Sequence, residues 1–140
     1  MFAAALTLLT FAAAPVPKGA ENSNAFMQGE WKIIKFLHDG EAEDLKKNPV
    51  SVTIAGNRMS TYRGPFCDVM TFTLDPTAKP PALNFTTEEG KRSRLVLAIY
   101  KIEGGVLTVC FHRDGVTRPT KFESLEESNT GLFVLERAKK

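Results

Sequence analysis

The sequence predicts an all-β protein, a closed antiparallel up-and-down barrel of about eight strands with one short helix. Three observations predict it. From Ala25 onward, short apolar segments are cut at close intervals by turn signals such as Asp39-Gly40, Gly64-Pro65 and Gly104-Gly105. Within those segments apolar and polar residues alternate, and no stretch holds a helical period over adequate length. Eight or nine short strands joined by hairpins must hide their edges, and closing the sheet on itself removes the edges altogether.

The elements follow in order. Residues 31–38 form the first strand, stopped by Asp39-Gly40. Residues 41–47 are the expected helix. Acids come first and lysines last, which suits the helix dipole, and Asn48 and Pro49 end it. Residues 50–55 alternate with Val50, Val52 and Ile54 on one face, and Gly56-Asn57 turns the chain into residues 58–63. Residues 66–74 place Phe66, Met70, Phe72 and Leu74 together, before the Asp75-Pro76 turn. Residues 83–87 are short. Residues 93–102 group Leu95, Leu97 and Ile99, and Gly104-Gly105 leads to residues 106–112 with Leu107, Val109 and Phe111 on one face. Residues 120–123 are a further short strand, and residues 131–137 close the domain.

The first twenty residues differ from the rest. Phe2 to Ala14 is an uncharged run rich in Ala and Leu, too short to span a membrane and of the length of a signal-peptide core. Ala12-Ala13-Ala14 offers a small-x-small cleavage pattern. Residues 1–20 are therefore expected to be signal peptide and linker, and residues 21–140 a single barrel domain. The expected destination is the periplasm, the cell surface or the extracellular space.

Composition excludes some functions. With 18 basic and 16 acidic residues the net charge is +2, too even for nucleic acid, and no basic stripe with interleaved aromatics occurs. No catalytic constellation, metal site or cofactor motif is expected. Cys110 and His112 share a strand face, but two ligands are fewer than a zinc site needs. Cys67 and Cys110 are both out of phase with their apolar neighbours, and two separate thiols are expected. Acid pairs such as Glu88-Glu89 and Glu126-Glu127 fall in turns and serve solubility.

The candidate binding residues are lumen or mouth positions. Phe72, Leu97 and Val109 are expected to line the interior. Tyr62, Tyr100, Arg118 and Phe122 would ring the mouth. Asp68 shares the apolar face of Phe66 and Met70, either as a ligand-orienting carboxylate or as a strand-end residue near solvent. Arg63, Arg94 or Arg118 would be its partner.

The Gly29-Glu30-Trp31 start resembles the opening of lipocalin-like domains, whose Trp plugs one end of the barrel. That resemblance implies that Arg137 lies across Trp31 as a structural pair. A longer ordered set adds Thr73-Leu74-Asp75-Pro76, Ala98-Ile99-Tyr100, Gly105-Val106-Leu107 with Val109-Cys110-Phe111, and Arg118-Pro119-Thr120 with Phe122. In this the chain resembles an uncharacterised family of extracytoplasmic domains abundant in planctomycete bacteria. The family implies export and the barrel, and no activity. The function expected from the residues is an exported, non-catalytic barrel for a small hydrophobic or amphipathic ligand. The alternative is a protein-interaction or inhibitor module with a filled barrel, presenting residues 77–81 or 117–119 to an envelope partner.

Overall fold

A computed structural model describes residues 20–89 and 92–139. The proposed signal segment lies outside the described residues, apart from Ala20. One helix, α1 (Ala20–Met27), is followed by nine strands: β1 (Gly29–His38), β2 (Glu41–Ala42), β3 (Val50–Ala55), β4 (Arg58–Arg63), β5 (Phe66–Asp75), β6 (Ala82–Glu89), β7 (Arg92–Glu103), β8 (Val106–His112) and β9 (Thr130–Arg137). All neighbours are antiparallel. The order runs β1-β3-β4-β5-β6-β7-β8-β9, and β9 pairs with β1 to close an eight-stranded barrel. The short β2 is an addition that pairs with the far end of β1.

The predicted fold class is therefore observed, with four corrections in detail. Residues 41–47 are not a helix. Glu41 and Ala42 pair with β1 instead, and a turn follows in which the Asp44 carboxylate accepts the Lys46 and Lys47 N–H groups. Seven residues ended by proline cannot offset the cost of helix nucleation once a strand edge offers hydrogen bonds. The helix lies instead at residues 20–27, partly in what reads as linker. Residues 120–123 are not a strand but part of a long strap between β8 and β9. Finally, β7 is turned the other way. Val96, Ala98, Tyr100 and Ile102 join the barrel core, while Leu97 faces outward opposite Asn84.

Turn chemistry fixes the hairpin registers. Gly104 and Gly105 both have positive φ (56° and 78°), as a type I′ link requires, and β7 and β8 pair directly through Glu103 and Val106. In β1 the ladder to β9 shifts between Ile33 and Lys35. This bulge absorbs Ile34, which is 42% exposed, so that Trp31, Ile33 and Phe36 all reach the core and Lys35 stays in water. Gly131 sits against the Phe111 ring, which occupies the space a Cβ would need.

The core fills one half of the barrel. Ile54, Phe72, Leu83, Phe85, Tyr100, Leu107, Val109 and Leu135 are all buried there. At this end α1 lies across the opening. Trp31 is fully buried and its indole N–H donates to the Met27 carbonyl at 2.7 Å. The Arg137 guanidinium stands 4.2 Å from the Trp31 ring centroid and 5.1 Å from that of Phe26. It also donates to the carbonyls of Phe26 and Gln28. The expected Trp31–Arg137 pair thus seals this end.

Candidate functional site

The opposite end is open. Above the packed half lies an aromatic layer from β1, β8 and β9. Phe36 and Phe133 are 4.4 Å apart by ring centroids, and Phe111 stacks on Phe133 at 5.1 Å. Strand pairing places Thr61 opposite Asp68, Arg63 opposite Phe66, and Met70 opposite both Met59 and Thr87. Met59 is buried in the core, so this row points inward. Thr61, Arg63, Asp68, Met70, Thr87 and Phe133 line a cavity of about 650 Å3 along β4, β5 and β6, which Arg58, Cys67, Val69, Thr71 and Thr86 of the opposite parity also line. Arg63 spans it toward β1, with its guanidinium 5.5 Å from the Phe36 ring centroid.

Residues 41–49 form a flap over the β1–β3–β4 corner of this mouth. Its Glu43 N–H donates to the Phe36 carbonyl at 2.9 Å, and its carboxylate is 2.9 Å from Nε2 of His38. Leu45 packs onto the core beside Phe36, Val50 and Arg63. The flap leaves the β4–β5–β6 side open.

The strap, residues 113–129, covers the outside of the barrel wall. The Asp114 carboxylate accepts the Val116 and Thr117 N–H groups, which hold its carboxyl below the usual range. Arg118 donates to the Ala98 carbonyl at 2.6 Å, the Leu83 carbonyl at 3.3 Å and the Asn84 side-chain oxygen at 2.6 Å. Phe122 and Leu37 pack on Ile99, Cys110 and Leu132, a second apolar cluster on the outer face. Lys101 lies over the Phe122 ring at 4.9 Å. Ser124 accepts the Gly40 N–H and donates to the Thr130 carbonyl, both at 3.0 Å.

Of the predicted residues, Phe72 and Val109 lie inside, in the filled half. Asp68 faces the mouth, exposed rather than buried. Tyr100 also points inward, but toward the plugged end, where its hydroxyl donates to Ser23 of α1 at 3.2 Å. Leu97, Arg118, Phe122 and Tyr62 are not mouth or lumen residues. Tyr62 pairs with Cys67 on the outer side and lines a separate surface groove with Ser51, Lys32 and Glu136. Sequence reasoning missed Thr61, Thr87, Phe36 and Phe133. The alternation that places Met59 inward carries Thr61 and Arg63 inward too, a signal that apolar counting passes over.

Cys67 is exposed and Cys110 buried, and both are free thiols. Burial pushes the Cys110 thiol above its ordinary pKa. His112 faces the underside of the strap beside Glu123 and Thr130. Among the described residues no group of three His, Cys, Asp or Glu side chains is placed to hold a metal. Nor is any described helix long and apolar enough to cross a membrane.

Tyr100 yields a test of the plug. Burial raises its phenol above the usual 10.0, because the charged form is disfavoured inside. As pH rises past that value the unfolded chain ionises first, so stability falls until the folded phenol ionises too. Tyr100→Phe should therefore lose less stability than the parent as pH rises above about 10, in urea titrations. Equal slopes would place Tyr100 in contact with water.

A closed eight-stranded antiparallel barrel plugged at one end by a helix and a tryptophan is compatible with a lipocalin-like fold. No family model, curated protein or solved structure matches the chain.

Proposed function

We propose that the protein is an exported, non-catalytic binding barrel that takes a small hydrophobic or amphipathic ligand at its open end. One observation carries this reading. The barrel is packed in its lower half, and a cavity of about 650 Å3, within the range of small-molecule pockets, lies beside Phe133 and Met70 and along both faces of the β4–β6 rim. Met70, Val69 and Phe133 give it an apolar part, and Arg58, Thr61, Arg63, Asp68, Thr71, Thr86 and Thr87 supply polar groups that can orient a ligand. Export rests on the apolar leader and on the resemblance to the planctomycete extracytoplasmic family. That family is the assignment we favour, and it brings no activity with it.

The test is titration of the full chain with the neutral fluorophore N-phenylnaphthylamine. The parent should bind it, and Thr61→Trp, which puts an indole into the mouth, should weaken binding by about tenfold or more, the equivalent of about 1.4 kcal/mol. No fluorescence gain with the parent would remove the binding reading. So would unchanged affinity in the variant.

A second reading, a protein-interaction module, draws on the rim. Phe66, at the start of β5, and Val116, in the strap, are 72% and 81% exposed. The loop at residues 117–119 suits that reading less, because Arg118 is hydrogen-bonded to the wall and Pro119 is buried.

A further inference from the structure

The flap over the β1–β3–β4 corner has a fixed base and a lightly held tip. At the base the Asp39 N–H donates to the Thr130 carbonyl and the Gly40 N–H to the Ser124 hydroxyl, both at 3.0 Å, and β2 pairs with β1. The tip bonds to itself. The Asp44 carboxylate accepts the Lys46 and Lys47 N–H groups, and the Asp44 carbonyl accepts the Asn48 N–H at 2.9 Å. Glu43 and Leu45 hold the tip to the barrel. The Glu43 N–H bonds the Phe36 carbonyl, and its carboxylate meets His38 in a pair that is partly exposed and therefore adds little. From residue 41 to 49 every residue except Leu45 is exposed, so the half-buried Leu45 supplies most of the grip. A segment with so little buried surface opens locally at low cost.

What Leu45 covers belongs to the mouth. The Phe36 ring is buried, and its centroid lies 4.4 Å from that of Phe133, which lines the large cavity. Arg63 stands between the two spaces. It lines the large cavity, lies over the Phe36 ring, and with Phe36, Leu45 and Val50 encloses a void of about 20 Å3 under the flap. That void holds a water at most. Lifting Leu45 joins it to the space beside Phe133 and gives the cavity a second aromatic face. Leu45 therefore sits where the apolar end of a ligand gains the most burial.

We propose that residues 43–48 are an autoinhibitory lid, in which Leu45 fills an apolar seat beside Phe36 that a bound ligand takes when the lid lifts. This deepens the binding reading and rests on it for the ligand, while the motion rests on the lid's own contacts. Leu45 and the ligand compete for one surface. Lid opening and ligand binding are then linked, and each favours the other by the same factor.

Two measurements on the full chain test it. The first is amide hydrogen exchange by nuclear magnetic resonance in low urea. The Glu43 N–H should exchange faster than the amides of the β7–β8 ladder and with a much smaller urea dependence, the mark of local opening. Saturation with N-phenylnaphthylamine should speed its exchange by about tenfold more. The second is titration with the same fluorophore. Leu45→Ala should bind it about three- to tenfold tighter than the parent, because the competitor is gone. Glu43→Gln keeps Leu45 and loosens the pair with His38, and should shift affinity the same way by about twofold. Circular dichroism checks the folding of both variants. A Leu45 that merely supports the site would give the opposite sign. Unchanged or weaker binding in both variants overturns the lid and leaves the binding reading in place. So does a Glu43 amide that exchanges only with the ladder as urea rises. If the fluorophore does not bind the parent at all, the binding reading falls and the lid falls with it.

Discussion

Trp31→Ala is expected to lower the stability of the domain by about 3–5 kcal/mol, the range for truncating a buried aromatic residue. Three losses combine at this position. The indole is fully buried, so its removal leaves a cavity under α1 that the closed barrel cannot collapse to fill. The Met27 carbonyl loses the N–H that satisfies it at 2.7 Å. Arg137 loses the ring face 4.2 Å beneath it, although its bonds to Phe26 and Gln28 remain. Small domains are stable by about 5–15 kcal/mol in total, so the variant should sit near its folding limit. The chain has a single Trp, and the change must be followed by far-ultraviolet circular dichroism in urea rather than by intrinsic fluorescence. Trp31→Phe separates the terms. It keeps most of the packing and leaves one carbonyl unpaired, for a loss of about 1–3 kcal/mol. A loss below about 1 kcal/mol for Trp31→Ala would mean that the indole does not hold this end shut.

This plug was legible through a resemblance: the Gly29-x-Trp31 start is similar to that of lipocalin-like domains, and the resemblance implied Arg137 across the indole. The strands were legible too, since glycine-bearing turns punctuate them. What alternation could not fix was the sense of β7. Leu95, Val96, Leu97, Ala98, Ile99, Tyr100 and Ile102 are apolar on both faces, so either parity is consistent with a core. The reason is physical. Part of the outer face is itself buried, with Ile99 and Cys110 fully enclosed beneath Phe122. A strand covered on both sides carries no amphipathic signal. Arg118 was misplaced for a related reason. Its role, satisfying the Ala98 and Leu83 carbonyls from outside the wall, depends on a contact between segments 20 and 35 residues apart.

The mouth was only half legible. Asp68 was visible because a carboxylate on an apolar face is conspicuous. Thr61 and Thr87 were not, because a threonine at an inward position reads the same in a sequence whether it meets core or water. Phe36 was hidden by the bulge at Ile34, which an unbroken alternation from Trp31 would place on the wrong side. Sequence patterns report the average face of a strand. The site is built where strands bend or leave the packed core, where that average fails.

The strap gives the second large expected effect, and it is local. Arg118→Ala removes three hydrogen bonds from a guanidinium to the wall, and Phe122→Ala uncovers Ile99, Cys110 and Leu132. Each should lower the cost of lifting the strap by about 2–3 kcal/mol, since hydrogen bonds to a charged group and a partly buried ring have worths of that order. Cys110 is the reporter. In the parent it is fully buried, its Sγ lies 3.5 Å from the Glu123 carbonyl, and burial holds its thiol protonated. A disulfide reagent should therefore modify Cys67 at once and Cys110 only through opening. Either variant should speed the slow phase by about 30–150-fold, the equivalent of that free energy. Stability measured in urea on the same variants decides the cause. If labelling accelerates while the urea midpoint stays high, the strap opens as a unit from an intact barrel. If the two fall in proportion, Cys110 is reached only by unfolding the whole domain, and the strap is part of the barrel's cooperative core rather than a separable cover.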